Sequence, residues 1–349
     1  MNNKVMLGMS GGVDSAVAAY LLSRQGYDVS GVTLRLYVGE RACGSADDAE
    51  DARRVAEALG ISHRVVTLTE DFRREVMDRF AACYQKGTTP NPCIDCNRYI
   101  KFGRMLELAR SHDVEYIATG HYAVIEKDSC GRYLLKKAKD AHKDQTYVLY
   151  SLTQDQLSHT LFPLGGYHKS EIREIAEAQG FVNAQKRDSQ DICFVPDGDY
   201  AAFIERHTGK TFPEGDFIDL DGNRLGTHRG IIRYTVGQRK GLGIALGKPA
   251  FVCAKDVTAN TVTLGDNADL FSRTLTAHDV NLIACDSLET PTRVTAKVRY
   301  GQAEQPAMAV QLDEGCLQVT FDEPQRAIAA GQSVVLYDGD TVIGGGIID

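Results

Sequence analysis

The run Gly8-Met9-Ser10-Gly11-Gly12-Val13-Asp14-Ser15 restricts what this chain can fold into more than any other stretch. Lys4-Val5-Met6-Leu7 before it reads as a short buried strand, and Ala16 to Leu22 after it reads as a helix. A strand, a glycine–serine turn and a helix in that order aim a row of backbone N–H groups and a helix N-terminus at one point. Such a point binds phosphate. Gly11 and Gly12 let the backbone come close to an anion, and Ser10 and Ser15 add hydroxyl donors. Asp14 would repel phosphate unless a metal ion lay between them, which points to Mg²⁺. The run is neither a Gly-Lys-Ser/Thr phosphate loop nor a GxGxxG dinucleotide fingerprint.

Strand and helix patterns keep alternating to about Ile125. Asp28 to Leu34 and Ser62 to Leu68 read as strands, with a helix from Asp47 to Leu59 between them that Gly60 ends. A helix over Phe72 to Tyr84 follows, then a strand over Tyr116 to Tyr122. This is the pattern of an α/β doubly wound parallel sheet, whose ligands sit at the C-terminal ends of the strands. Ser10–Ser15 and Gly120-His121 both fall at such ends. After a helix over Glu171 to Gln179 the texture changes. From about Thr211 onward short β segments alternate with Gly, Asp and Asn turns, which predicts a small β-rich unit followed by a C-terminal β-barrel. The expected division is a nucleotide-binding catalytic domain over 1–207, a central β-rich domain over 208–268 and a barrel over 269–349.

At 349 residues the chain exceeds one ordinary small core. No apolar run reaches the length of a membrane span, and Met1-Asn2-Asn3-Lys4 leads straight into the first strand with no room for a signal peptide. A cytoplasmic protein with no membrane partner is expected. Nine cysteines, an odd number, argue for thiol chemistry or metal binding rather than a disulfide scaffold.

Two further segments carry chemistry. In Thr89-Pro90-Asn91-Pro92-Cys93-Ile94-Asp95-Cys96-Asn97, two prolines predict a rigid loop and two cysteines follow at CxxC spacing. That spacing suits a redox pair, half a zinc site or part of an iron–sulfur site. Arg187-Asp188-Ser189-Gln190-Asp191-Ile192-Cys193-Phe194 supplies another cysteine.

The SGGVDS run resembles the PP-loop of ATP pyrophosphatases, which split ATP into AMP and pyrophosphate while adenylating a substrate oxygen. With the cysteine segments, the chain closely resembles one family within that superfamily, the tRNA-specific 2-thiouridylases of the MnmA/TrmU type. The resemblance covers nearly the whole chain. It runs through GMSGGVDS at Gly8–Ser15, TPNPxxxCN at Thr89–Asn97, ATGHY at Ala118–Tyr122, KDQTYxLY at Lys143–Tyr150 and DSxxICF at Asp188–Phe194. It continues through TVGQRKGLGI at Thr235–Ile244, VRYGQ at Val298–Gln302 and the barrel motif from Phe321 to Ile348.

The resemblance implies a tRNA-uridine 2-sulfurtransferase. ATP adenylates the C2 oxygen of the wobble uridine, a protein-bound sulfur attacks C2, and AMP leaves. It implies that Gly8, Met9, Ser10, Gly11, Gly12, Val13, Asp14 and Ser15 cradle ATP phosphates, that the Leu34 backbone meets adenine and that Gly120 lines the nucleotide pocket. It gives Cys193 a terminal persulfide sulfur and makes Cys96 the nucleophile that frees it. Many family members carry Asp where this chain has Cys93. The resulting trio of Cys93, Cys96 and Cys193 could hold a [4Fe–4S] cluster with one open iron, so the persulfide and cluster routes both stand. The family's tRNA contacts map onto Lys143, Asp144, Gln145, Arg299, Tyr300 and Gln332. Asn91, Pro92 and Cys93 would face the flipped uracil, and His121 would touch tRNA or nucleotide. A cysteine desulfurase or sulfur-relay protein would supply sulfur to a monomer bound to one tRNA. Cys43, Cys83, Cys130, Cys253, Cys285 and Cys316 match no family motif and read as structural.

A net charge of -8 works against a nucleic-acid partner. Gly222 to Lys255 meets that objection locally, since it holds no Asp or Glu but contains Arg224, Arg229, Arg233, Arg239, Lys240, Lys248 and Lys255. Clustered cations can bind RNA phosphates whatever the total charge, and Arg239 and Lys240 among small residues are its expected centre. Two other readings compete. Another PP-loop ligase, acting on tRNA or a nucleotide with a nitrogen nucleophile, would need no paired cysteines. An RNA-binding protein with a decayed nucleotide site would make no AMP.

Overall fold

The computed structural model describes residues 3–37, 45–186, 192–313 and 315–349. The chain divides into two compact units. One comprises Met1–Met77, Pro92–Gly198 and Asp340–Ile343, and the other Asp78–Asn91, Asp199–Gly339 and Gly344–Asp349.

The first unit contains strands β1 (Lys4–Gly8), β2 (Asp28–Arg35), β3 (Ser62–Thr67), β4 (Tyr116–Ala118), β5 (Val124–Lys127), β6 (Tyr133–Lys136) and β7 (Thr160–Leu161). Five of them form the expected parallel sheet in the order β3-β2-β1-β4-β7. The order reverses at β1, where successive crossovers part to opposite sides. The C-terminal end of β1 is therefore the crevice in which such sheets bind ligands. Val5, Met6 and Leu7 are almost fully buried, as a central strand covered on both faces requires. Helix α1 (Val13–Arg24) brings Ala16, Ala18 and Ala19 against the sheet. These short side chains let it lie close and join Val5, Leu7, Val17, Leu22 and Ile172 in one core. Helix α2 (Ala46–Leu59) starts on a Ser45 side-chain cap to the Asp48 N–H and ends on left-handed Gly60.

Three local readings change. The strand expected over Tyr116 to Tyr122 stops at Ala118, and Gly120 to Tyr122 turn across the end of the sheet. The helix expected over Phe72 to Tyr84 runs from Thr69 to Gln85, with a wider i→i+5 turn over Arg73–Asp78. The Thr89–Asn97 segment is not a loop throughout. Pro92 opens a helical stretch that passes through Cys93 and Cys96, widens over Cys96–Arg104 and ends at Arg110. Proline suits a first helical position because its missing N–H has no partner there anyway.

The second unit holds a helix, Tyr200–Thr208, and four strands: β8 (Gly215–Ile218), β9 (Arg224–His228), β10 (Phe251–Asp256) and β11 (Thr261–Gly265). They order as β10-β11-β8-β9, with β11 and β8 parallel. Then come β12 (Phe271–Leu282), β13 (Thr292–Lys297), β14 (Gln305–Asp313), β15 (Cys316–Arg326), β16 (Ser333–Asp338) and β17 (Thr341–Ile348). These run β12-β15-β14-β13-β16-β17, and β17 pairs back with β12. The six strands form the expected closed barrel, which leaves no open sheet edge. Among the described residues no helix is long and apolar enough to cross a membrane.

Candidate active site

The glycine–serine turn is held from below and from within. The Met9 N–H donates to the Val32 carbonyl at 2.8 Å, and the Thr33 hydroxyl donates to the Met9 carbonyl at 2.7 Å. The Ser10 N–H donates to Ser15 Oγ at 3.2 Å, and Ser15 Oγ donates to the Gly12 carbonyl at 3.1 Å. Gly12 opens α1 with no side-chain cap, so its first N–H groups stay available to an anion. Gly11 has φ +71, and a Cβ there would lie 2.3 Å from the Asp48 carbonyl oxygen. A Cβ on Gly120 would press within 3.0 Å of the Asp14–Ser15 backbone. Side chains are thus excluded at Gly11 and Gly120, where neighbouring backbone packs closest. Leu34 lies near the end of β2, paired with Val66 of β3.

The Asp14 carboxylate has side-chain partners within the chain. The Lys169 ammonium donates to both its carboxylate oxygens, at 2.7 and 2.8 Å, and the Tyr122 hydroxyl donates to Oδ1 at 2.8 Å. Tyr122 is fixed in turn by Gln145, whose side-chain oxygen accepts the Tyr122 N–H at 2.9 Å. A second lysine braces the loop. Lys186 Nζ lies 2.8 Å from both Asp48 and Asp51 and 3.3 Å from the Gly11 carbonyl, which also accepts from Asn183 at 3.1 Å. Sequence reasoning missed both lysines. Lys169 carried a signal, because a cation in the first turn of a helix opposes the helix dipole and needs a carboxylate to hold it there.

The cysteines are three thiols in different settings. Cys93 is exposed, Cys96 buried and Cys193 half-buried. Protein around the Cys93 sulfur still desolvates it enough to raise its pKa, while Lys101 pulls the other way. Cys96 sits where the helix widens. The neighbouring Asn97 amide donates to the Val148 carbonyl at 2.9 Å, and Gln156 donates to the carbonyls of Arg98 and Phe102, two of the groups the wide turn loosens. Cys193 lies in a turn closed by the Val195 N–H on the Ile192 carbonyl, with Phe194 edge-on to Phe72. The expected Asp188 to Asp191 part of this motif, like Cys43, lies outside the described residues. Among the described residues no three His, Cys, Asp or Glu side chains are grouped to hold a metal ion.

Several expected substrate contacts have internal duties. His121 is 7% exposed, shares a 2.7 Å hydrogen bond with Thr119 and packs against Phe102 and Phe162. Burial, and secondarily Lys101, hold its pKa well below the usual histidine value, so it is a neutral interior ring rather than an exposed contact. Asp144 accepts from the Ala138 N–H and the Thr146 hydroxyl, while the Lys143 backbone N–H donates to the Asp140 carbonyl. In the second unit, Arg299 donates to the carbonyls of Arg326 and Ala327. Gln332 donates to the Thr89 carbonyl at 2.7 Å, two residues before Asn91. Tyr300 is exposed.

The acid-free stretch is not uniformly cationic in space. Arg224 pairs with Asp216, Arg233 with Glu205 and Lys248 with Asp266. Lys255 is half-buried with its ammonium on the Tyr234 carbonyl, and desolvation pushes its pKa down to about 8, so it leaves the expected RNA-facing set. Among the described residues no ion pair engages Arg229, Arg239 or Lys240. Arg239 lines a cleft of about 400 Å³ with Gly241 to Leu246 and Lys248 to Ala250.

Comparison with known proteins agrees with this layout. Residues 3–197 match the tRNA methyl transferase HUP domain, residues 201–266 the tRNA methyl transferase PRC-barrel domain, and residues 272–348 the aminomethyltransferase beta-barrel domain. The tRNA-specific 2-thiouridylase MnmA of Clostridioides difficile is 54% identical over 100% of this chain and 99% of that protein. Its counterpart in Acetivibrio thermocellus is 52% identical over 99% of each. Among solved structures, the U34-tRNA thiolase NcsA from Methanococcus maripaludis with its [4Fe-4S] cluster is similar at 19% identity and a TM-score of 0.35, covering 60% of this chain and 68% of that one. That likeness is too slight to argue from, and the cluster belongs to that protein.

Proposed function

The chain belongs to the tRNA-specific 2-thiouridylase MnmA family, and on that premise we propose how its own residues convert a wobble uridine of tRNA to 2-thiouridine. The uncapped loop from Gly8 to Ser15 at the switch point of the sheet carries this reading. ATP, with the Mg²⁺ that accompanies its phosphates, lies against that backbone. The Leu34 backbone meets adenine and Gly120 gives the nucleotide room. Attack of the uridine C2 oxygen on the α-phosphorus releases pyrophosphate and turns a poor leaving group into AMP.

Sulfur arrives as a persulfide on Cys193, delivered by a cysteine desulfurase or a relay protein. Its terminal sulfur attacks C2, and AMP leaves with the C–O electron pair. The Cys96 thiolate then attacks the Cys193 sulfur. The S–S bond breaks toward C2 to leave C2=S, and Cys96 and Cys193 join in a disulfide that a cellular dithiol reduces. Holding the attacking sulfur beside C2 lowers the barrier by several kcal/mol through positioning alone. A cluster on Cys93, Cys96 and Cys193 is the alternative route, which the iron measurement below decides. Asn91, Pro92 and Cys93 are the residues offered to the flipped base. Lys143, Arg239, Lys240, Arg299, Tyr300 and Gln332 are offered to the rest of the tRNA, bound by a monomer in the cytoplasm.

The test supplies tRNA, Mg-ATP and a persulfide donor, then measures AMP and 2-thiouridine together with iron and acid-labile sulfide in anaerobically purified protein. Thiolation at near-zero iron supports the route. About four irons per chain, absent once any of the three cysteines is changed, would replace it with the cluster route.

A further inference from the structure

A carboxylate inside a phosphate-binding loop must be neutralised, and from sequence that need pointed Asp14 to a metal ion. The structure meets the need with a side chain. Resting on the ATP-dependent reading above, we propose that Lys169 is the resident counter-cation of the phosphate loop and that Asp14 holds this ammonium rather than a metal ion.

The geometry is specific. Lys169 Nζ spans both Asp14 oxygens at 2.7 and 2.8 Å, the edge a bidentate metal would use, and the Tyr122 hydroxyl takes Oδ1 at 2.8 Å. Lys169 is 8% exposed, and its ammonium also lies 5.9 Å from the centre of the Tyr122 ring. Its backbone N–H is tied to Asp140 Oδ2 at 2.9 Å, which fixes the root of the side chain. Gly120 has no Cβ to intrude, because one would lie 3.1 Å from Asp14 Cβ.

A metal ion at Asp14 would have to displace this ammonium, leaving a buried cation beside a second one. With the pair intact the carboxylate adds no net charge to the loop, and the N–H groups of the loop and α1 face an anion without opposition. Mg²⁺ arriving with ATP then keeps phosphate oxygens and water as ligands, which is its habit. Tyr122 has a second role here. Its N–H is held by Gln145 of the KDQTYxLY segment, so the orientation of Asp14 depends on that segment.

The two readings of Asp14 predict opposite signs. Mg-ATP binding without tRNA is measured by equilibrium dialysis, and Mg²⁺ binding alone by calorimetry. The proteins are wild type, Lys169→Met, Asp14→Asn and the double variant, each with its unfolding midpoint. Lys169→Met is expected to weaken Mg-ATP binding at least tenfold, because it leaves the Asp14 charge facing phosphate. The double variant is expected to recover to within about threefold of wild type, and Asp14→Asn to bind Mg-ATP no more weakly than wild type. Mg²⁺ binding by wild type that Asp14→Asn abolishes, or failure of Asp14→Asn to bind Mg-ATP that the second change does not repair, would overturn the proposal. If Lys169→Met does not fold, the Asp14→Asn result decides alone. Wild-type protein that binds no Mg-ATP would instead sink the ATP reading on which this inference rests.

Discussion

Replacing Lys255 by Met should make the protein more stable at neutral pH, although the change deletes a charge and a hydrogen bond. Lys255 belongs by sequence to the stretch expected to bind RNA, but it is half-buried and its pKa falls from 10.5 to about 8 through desolvation. That difference of about 2.5 units means that keeping the ammonium charged inside the fold costs roughly 3 kcal/mol. The variant gives up one hydrogen bond to the Tyr234 carbonyl, worth about 1 kcal/mol. The net expectation is a gain of about 2 kcal/mol at pH 7. Because the folded pKa lies below the unfolded one, the unfolded chain binds more protons between about pH 8 and 10.5, and this group's contribution to stability rises with pH across that window. Below pH 8 the penalty is fully present. Above about 10.5 the lysine is neutral in both states and the penalty is gone. The advantage of Lys255→Met should therefore shrink as pH rises from 7 to 10 and turn into a small deficit. Urea unfolding of both proteins followed by tyrosine fluorescence at pH 7, 8.5 and 10 measures this, and comparison of the two cancels every other titrating group. A variant less stable at pH 7, or a difference that does not change with pH, would refute the argument.

The other expectations concern the site. Cys193→Ala should abolish 2-thiouridine formation while tRNA-dependent AMP release continues, since adenylation does not need the sulfur. Disappearance of both activities would mean that Cys193 serves the nucleotide step. Gly11→Ala should reduce ATP affinity more than tenfold, because it forces a side chain into left-handed backbone and against the Asp48 carbonyl. Wild-type ATP binding by this variant would show that the loop is not as tightly packed as described. Replacing Arg239 and Lys240 together by Ala should weaken tRNA binding and lower its log K against log salt slope by about 2, one for each phosphate no longer neutralised. An unchanged slope would remove that cleft from the RNA-binding surface.

What the sequence revealed and what it concealed divide along one physical line. β1, the phosphate loop and α1 were legible because strand burial, glycine placement and helix start lie within some twenty consecutive residues. The barrel's class was legible for the same reason, through turns and β-branched runs. Its individual strand limits were less so. β12 carries Ser272, Arg273 and Thr274 in its first half, and β14 opens on Gln305-Pro306, so neither begins with a clear alternation. The helix through Cys93 and Cys96 was hidden because Pro90 and Pro92 read as loop punctuation, although Pro92 in fact starts a helix. The site's charges were least legible of all. Lys169 is 155 residues from Asp14, and Asp48 is 138 residues from Lys186. No local pattern announces a pair at such separations. The same blindness overstated the acid-free stretch, whose Arg233 and Lys248 meet Glu205 and Asp266 from outside it.

These pairings also explain how a chain of net charge -8 can bind two polyanions. Net charge governs long-range approach, whereas binding depends on the field within a Debye length of the phosphate. Around the phosphate loop Asp14 has Lys169, while Asp48 and Asp51 share Lys186. Two of the three acidic charges nearest the loop are thus cancelled where they stand, which lowers the opposition that an anion meets there. Around the candidate RNA cleft the acids are held by Arg224, Arg233 and Lys248, while among the described residues none is paired with Arg239 or Lys240. Much of the remaining negative charge is scattered over exposed positions, such as the Glu50 and Glu57 positions on α2, where Arg53 and Arg54 screen it. Total charge is then a poor guide to partners for such a fold, because the acids close to each anion site carry lysine or arginine partners.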